Sequence, residues 1–327
     1  MSEPLVIVGN GMAAARLVDE LARTALGRYA VAVIGEEPRL AYNRVLLSSV
    51  LAGETGSHEI ELRPAEWWRH RGVTVRYGYR VTEIDTGRRE LKIAGEESME
   101  YSKLVLATGS TPLRLNVPGA DLAGVHTFRD TRDVDLLLTL AAAKKRVVVV
   151  GGGDAVIFAA GIKPNVALAK EAGIAVNRGV VVNDVMQTSS SDIFALGECA
   201  EHRGTCYGLV EPAYEQARVL ARHLAGRPAA YQGSVVSTNL KVSGVSVFSA
   251  GDFMGGEGSE SLVLSDRSRG TYKKLVIADG RLTGAVLIGD TVDALWYLEL
   301  IRNRDKVAPM RTDMMFGRAV AQPSKAA

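Results

Sequence analysis

The hexapeptide Gly9-Asn10-Gly11-Met12-Ala13-Ala14 constrains this chain more than any other feature. It follows a short apolar run at 5–8 and opens a segment in which Ala14, Leu17, Val18, Leu21 and Ala22 recur at helical spacing. A second apolar run at 31–34 completes a βαβ opening, which calls for a parallel sheet. In this G-x-G-x-x-A frame Gly9 permits the tight turn. Gly11 lets backbone N–H groups approach a pyrophosphate with no Cβ in the way, and Ala14 lets helix and sheet pack closely. A helix N-terminus carries about half a positive charge and unpaired N–H donors, so the amides around Gly11, Met12 and Ala13 form a phosphate site. Glu36 follows the second strand in the place of the ribose-binding acid, with Glu37 beside it, a little beyond the ~20 residues usual for that spacing. A glycine turn that merely joins strand to helix would not explain why strand, glycines, helix and acid agree. The pattern specifies a dinucleotide without saying which one.

Length and charge set limits on the rest. The 327 residues suggest about two domains. A hydrophobic content of 47% with 23% charged residues fits a globular protein, and a net charge of +2 argues against nucleic acid or an anionic membrane as partner. Two cysteines, Cys199 and Cys206, make no disulfide framework, so a cytoplasmic location is expected. The N-terminus has no basic stretch and reaches glycines early, unlike a signal peptide. The longest apolar run, 147–162, is broken by Gly151, Gly152, Gly153 and Asp154, and falls short of the ~20 residues a membrane span needs.

Further along, the pattern predicts a helix at 65–71, a strand at 73–77 and an antiparallel meander over 81–84, 90–93 and the segment to Lys103. The run 104–106 returns to the sheet and ends in Ala107-Thr108-Gly109. A loop at 112–124 and a helix at 132–143 lead to a strand at 146–150, glycines 151–153, and another strand at 155–159. Strands at 180–182 and 193–196 and a helix at 211–224 follow. From about Pro228 the chain changes to Ser-, Val- and Gly-rich character, with strands at 245–249, 273–277 and 282–288 and a helix at 291–301. The tail 321–327 reads as disordered.

The segment Ala41-Tyr42-Asn43-Arg44-Val45-Leu46-Leu47-Ser48 resembles the FAD-dependent pyridine nucleotide reductases, especially the flavoprotein part of assimilatory nitrite reductases and the rubredoxin reductases. Leu106-Ala107-Thr108-Gly109-Ser110 resembles the family's second FAD contact. Phe158-Ala159-Ala160-Gly161-Ile162-Lys163-Pro164-Asn165 resembles the return to the FAD domain. Asp192-Ile193-Phe194-Ala195-Leu196-Gly197-Glu198-Cys199-Ala200 resembles the motif that holds the ribityl chain. With the first motif these stand in family order over nearly the whole chain. The resemblance implies an α/β fold: an FAD-binding, Rossmann-like domain of glutathione-reductase type with three-layer ββα character, plus a small C-terminal α+β domain. It implies a discontinuous FAD domain at 1–114 and 155–227, a stub of the NAD(P)H domain at 115–154, and a C-terminal domain at 228–327. By the same resemblance Glu36 holds the adenosine ribose. Arg44 and Arg129 contact the phosphate or ribose region, and Val81 meets the adenine through its backbone. Ala107, Thr108 and Gly109 pass close to the FAD, and Gly197 and Glu198 hold the ribityl hydroxyls. Many relatives carry Asp at that last position, so the longer Glu alters its geometry.

Two absences shape the function. The stretch 41–51 has no cysteine, which excludes a thiol relay there. Cys199, His202 and Cys206 fall short of the four ligands of a soft metal site, and no metal is expected. The other histidines, His58, His70, His126 and His223, are isolated. The second absence is larger. In the family, 146–153 would begin the NAD(P)H domain, but β-type residues follow at once and Val156 takes the third small position, so no helix N-terminus faces a second pyrophosphate. Most of a compact domain is therefore missing by comparison. The resemblance implies an FAD-containing, NAD(P)H-linked oxidoreductase that passes electrons to a haem, iron–sulfur or rubredoxin partner in nitrate or nitrite assimilation, here without a working NAD(P)H site. No acid–base residue is expected to be essential. A non-catalytic FAD-binding relay module is the alternative. A simple NAD-dependent dehydrogenase leaves Thr108-Gly109 and Gly197-Glu198 unexplained.

Overall fold

Apolar runs in the N-terminal third are flanked by glycine turns, and they form the strands of one parallel sheet. The computed structural model of the chain describes residues 2–114, 116–122, 124–143, 157–158, 161–242 and 244–322. The expected strand at 146–150, glycines 151–153 and the junction after them lie outside these residues.

The first unit opens with β1 (Glu3–Val8), α1 (Met12–Thr24) and β2 (Tyr29–Gly35). Short helices α2 (Leu47–Leu51) and α3 (Ala65–His70) lead to β3 (Thr74–Tyr77). The meander β4 (Val81–Asp85), β5 (Glu90–Ile93) and β6 (Met99–Glu100) precedes β7 (Lys103–Leu106). Next come β8 (Ser110–Pro112), β9 (His126–Thr127), α4 (Thr131–Ala142), β10 (Ile157–Phe158), β11 (Ile162–Pro164) and α5 (Ala167–Glu171). Strands β12 (Val180–Val182), β13 (Ile193–Ala195), β14 (Ala200–His202) and β15 (Thr205–Cys206) lead to the long helix α6 (Val210–Leu224).

Among the described residues the parallel sheet has the order β13-β7-β1-β2-β3. Its centre pairs Leu5–Val8 residue for residue with Lys103–Leu106 on one side and with 31–34 on the other. Burial on both faces explains the continuous Val, Ile and Leu character of β1 and β7. Leu5, Ile7, Val33, Leu104 and Val105 are fully buried, each contributing about 1.5–3 kcal/mol. The meander adds Val81, Ile84, Leu91 and Ile93 to the same core, and α1 packs on α6. Within the excursion between β8 and β11, β9 pairs in parallel with β10.

The two compact units divide between Gly233 and Ser234. The second contains β16 (Ser237–Val242), β17 (Val245–Gly251), β18 (Glu260–Asp266), β19 (Thr271–Ala278), β20 (Arg281–Ile288), α7 (Ala294–Asn303) and α8 (Arg318–Ala321). Its antiparallel sheet has the order β16-β17-β20-β19-β18, with Phe248, Leu275, Leu287, Trp296 and Tyr297 in its core. Two expectations need correction here. The helix expected at 291–301 begins only at Ala294, because the Asp290 carboxylate accepts the Val292 amide in a turn. Ala321, expected in a loose tail, ends α8. Among the described residues no helix is long and apolar enough to cross a membrane.

Candidate dinucleotide site

The first glycine turn is shaped by backbone crowding. Gly9 has φ +113°, and a Cβ there would lie 2.1 Å from the Ala107 carbonyl oxygen. The turn therefore passes directly against the end of β7, where only glycine fits. The Gly9 amide donates to the Ile34 carbonyl (2.7 Å), tying the turn to β2. Gly11 is different: it caps α1 in extended backbone, and nothing lies within 4 Å of its missing Cβ. No side chain caps α1, and its first turn carries no acid. A 13-residue helix thus presents its positive end and open donors to free space, with Ala14 fully buried beneath. This is a cradle that a diphosphate fits and a Cβ on Gly11 would partly fill.

At the end of β2 the two acids divide their roles. Glu36 points to solvent, its carboxylate 3.9 Å from Arg80. Glu37 is held more deeply, accepting the Tyr42 hydroxyl (2.7 Å) and the Arg44 guanidinium. Burial pushes the Tyr42 phenol up, with Arg44 opposing and Glu37 reinforcing, so Tyr42 is a fixed donor. Arg44 also stacks on the Tyr42 ring and donates to the Arg129 carbonyl (3.2 Å). Val81 begins β4 close by, since the Gly78 and Tyr79 amides donate to the Glu37 and Gly35 carbonyls.

At the other end, Thr108 and Asn165 clamp two distant segments together. The Thr108 hydroxyl donates to the Asn165 carbonyl (2.9 Å), the Asn165 side-chain amide donates to the Thr108 carbonyl (2.8 Å), and the Asn165 backbone amide donates to the Gly109 carbonyl (3.0 Å). Antiparallel pairing of β8 with β11 extends the clamp. Gly109 has φ +65°, with no heavy atom nearer its missing Cβ than the Glu198 carboxylate at 3.9 Å. Glu198 lies in the 3-10 turn Gly197–Cys199 and accepts the Ser110 hydroxyl (2.8 Å) and the Arg129 guanidinium. Arg129 is itself placed by the cap of α4. Asp133 accepts the Arg129 and Asp130 amides, while Asp130 accepts those of Arg132 and Asp133.

These contacts bring some of the expected residues together, while Glu36 stays at the surface. Gly9 meets Ala107, Gly109 faces Glu198, and a Cβ on Gly197 would lie 3.0 Å from that of Ala13. The first turn, the Ala107-Thr108-Gly109 segment and the Gly197-Glu198 turn therefore line one continuous site. Arg44 and Arg129, expected on the cofactor, are also paired with Glu37 and Glu198, so a polar string runs from one end of the site to the other. Ser110 and Asn165 lie in two of the family-like motifs with no role of their own assigned by sequence, and Gln216 lies outside all of those motifs. Gln216 carried a readable signal, being a polar residue at i, i+4 spacing within the buried face Pro212, Ala213, Ala217 and Leu220 of α6.

Cys199 is fully buried and donates to the Leu106 carbonyl, and burial pushes its thiol up. It packs under the site and is no nucleophile. Both cysteines are free, and among the described residues no cluster of His, Cys, Asp or Glu could hold a metal ion. His202 is buried against Asp184 (2.8 Å).

The chain is similar to known proteins along most of its length. The model of the pyridine nucleotide-disulphide oxidoreductase family matches residues 3–155 and 153–223, and that of the rubredoxin NAD+ reductase C-terminal domain matches residues 237–305. The assimilatory nitrate reductase electron transfer subunit of Bacillus subtilis (strain 168) is 35% identical over 381 residues, covering 92% of this chain and 49% of that protein. The NADH-rubredoxin oxidoreductase of Clostridium acetobutylicum is 25% identical over 353 residues, covering 88% of this chain and 92% of that protein. The chain spans about half the length of the Bacillus subtilis nitrate and nitrite reductase relatives it matches. Among solved structures, NADH:rubredoxin oxidoreductase from Clostridium acetobutylicum superposes with TM-score 0.77 at 22% identity, over 94% of this chain and 97% of that one. A ferredoxin reductase from Rhodopseudomonas palustris gives TM-score 0.83 at 21% identity, over 98% and 100%. At these identities the structures show a shared fold.

Proposed function

The chain belongs to the pyridine nucleotide-disulphide oxidoreductase family, whose members bind FAD and use NAD(P)H, and from that premise we propose that it is an FAD-carrying electron-transfer flavoprotein of nitrate or nitrite assimilation. The observation that carries the reading is the meeting of the first glycine turn, Ala107-Thr108-Gly109 and Gly197-Glu198 in one site. In this reading the open end of α1 holds the diphosphate, Glu36 reaches the adenosine ribose, and the start of β4 at Val81 borders the adenine. Glu198, poised by Ser110 and Arg129, takes the ribityl hydroxyls. FAD supplies, when bound, the conversion of a two-electron donor into one-electron transfers. The chain's own part is binding, orientation and exclusion of water. No side chain at the site needs to move a proton. With Cys199 buried and no cysteine at 41–51, electrons leave for a one-electron acceptor and not through a thiol pair.

The same reading holds that the NAD(P)H-binding domain is shortened to the point of not working. Two observations support this. The family match breaks into two segments that meet at 153–155, and the alignments with relatives run over 381 and 353 residues, longer than this 327-residue chain. Without an anchor for its adenosine half, NAD(P)H loses the remote binding energy that would position its nicotinamide. The FAD-loaded chain mixed anaerobically with NADH is expected to bleach far more slowly than with dithionite. Rapid, saturable bleaching by NADH overturns the loss of the second site while leaving FAD binding intact.

A further inference from the structure

We propose that Gln216 is the positioning residue of the cofactor site, fixing the Gly197-Glu198 turn against the N-terminus of α1. This rests on the reading that the site holds FAD. Gln216 is fully buried on α6, 19 positions from Gly197, and its side-chain oxygen accepts the Gly197 amide at 2.7 Å. That amide fixes which end of the Gln216 side chain faces the turn, because only the oxygen can accept.

Among the described residues the other side-chain bond to the backbone of the turn is the weak one from the Cys199 thiol to the Leu196 carbonyl (3.4 Å). Its capping position, Leu196, is extended backbone with no side-chain cap, and Gly197 itself has φ +80°. Gly197 also lies so close to α1 that a Cβ would approach that of Ala13 to 3.0 Å. Gln216 therefore sits where α6, the turn and the first nucleotide helix converge. By pinning the Gly197 amide it sets where the next residue, Glu198, presents its carboxylate to Ser110 and Arg129. The side-chain nitrogen of Gln216 is buried with no partner among the described residues, so a polar group is kept in an apolar helix face for the sake of one accepted hydrogen bond. Burying an amide unpaired is costly, which gives the acceptor its importance.

The test compares the wild-type chain with Q216M, which keeps the volume and removes the acceptor, and Q216E, which keeps an acceptor oxygen. FAD affinity is read by quenching of flavin fluorescence, and the environment of the bound flavin by visible circular dichroism. Q216M is expected to weaken FAD binding about tenfold or more, equivalent to about 1.4 kcal/mol, and to change the dichroism. Q216E is expected to restore both, which a purely space-filling role would not require. Wild-type affinity and dichroism in Q216M overturn the proposal, and so does a Q216E variant as impaired as Q216M. If Q216M does not fold, Q216E decides alone: wild-type dichroism and affinity support the acceptor role, and their loss overturns it. A wild-type chain that takes up no FAD would instead overturn the reading beneath it.

Discussion

At the scale of single residues, the two glycines of the first turn do different work and should fail differently. Gly9→Ala places a Cβ 2.1 Å from the Ala107 carbonyl oxygen at φ +113°. The backbone conformation alone costs about 1–3 kcal/mol, before the collision is relieved. Thermal unfolding should show a lower midpoint and FAD binding should fall with it. Gly11→Ala meets no atom within 4 Å and needs no positive φ, so its stability should match wild type while FAD affinity drops, because the new methyl enters the space kept for the diphosphate. Equal unfolding midpoints for Gly9→Ala and wild type would contradict this account of the turn. Both glycines were legible in the sequence because their neighbours in the chain supply the context. The pairings of Ser110, Asn165 and Gln216 were not, because each joins partners 19 to 88 positions apart and only the fold brings them together.

At the scale of elements, α4 matters through its N-terminus, which positions Arg129. Burial of Asp130 opposes its ionisation, but hydrogen bonds from Arg132 and from the Arg132 and Asp133 amides win, holding the carboxyl below its usual value of 3.8. A depressed value means the cap's contribution is complete above the ordinary carboxylate range. It is lost as pH falls through the folded-state value. Asp130→Ala should cost α4 about 1 kcal/mol, seen as faster hydrogen exchange of its amides, and acidification of the wild type should reproduce the effect. Unchanged exchange in Asp130→Ala would exclude the cap as the source of order there. The longer helices were readable because their apolar residues repeat at helical spacing, and the central strands because they are continuous apolar runs, whereas the short helices α2, α5 and α8 leave too few residues for a pattern. Strands β16 and β18 were missed for a physical reason: both lie at sheet edges, and β18 is largely exposed, so selection for apolar residues is weak. The hairpin of β14 and β15 is too short to leave a pattern.

At the scale of the whole molecule, the fold suggests how, on the proposed reading, a flavin domain would tolerate a shortened second domain. The excursion between β8 and β11 leaves and returns at one place, where the Leu113 amide donates to the Gly161 carbonyl (2.9 Å) and the Thr108–Asn165 clamp lies just inside. These bonds stitch the two halves of the first unit beside the contacts that Arg129 and α4 of the excursion add. Grafting the second nucleotide domain of a relative between Gly153 and Ala155 should therefore raise the rate of NADH-driven flavin reduction and leave FAD affinity unchanged. Loss of FAD affinity in that chimaera would show that the clamp does not insulate the FAD site from an inserted domain. On the proposed reading the open end of α1 and the Glu198 carboxylate hold the diphosphate and the adjoining ribityl chain of one FAD. Titration of the purified chain with FAD, followed by flavin fluorescence, tests it most directly. The account predicts saturation at a single FAD per chain, with micromolar or tighter affinity and no displacement by NAD. A colourless protein that shows no saturation with FAD, or that binds NAD in its place, would contradict it.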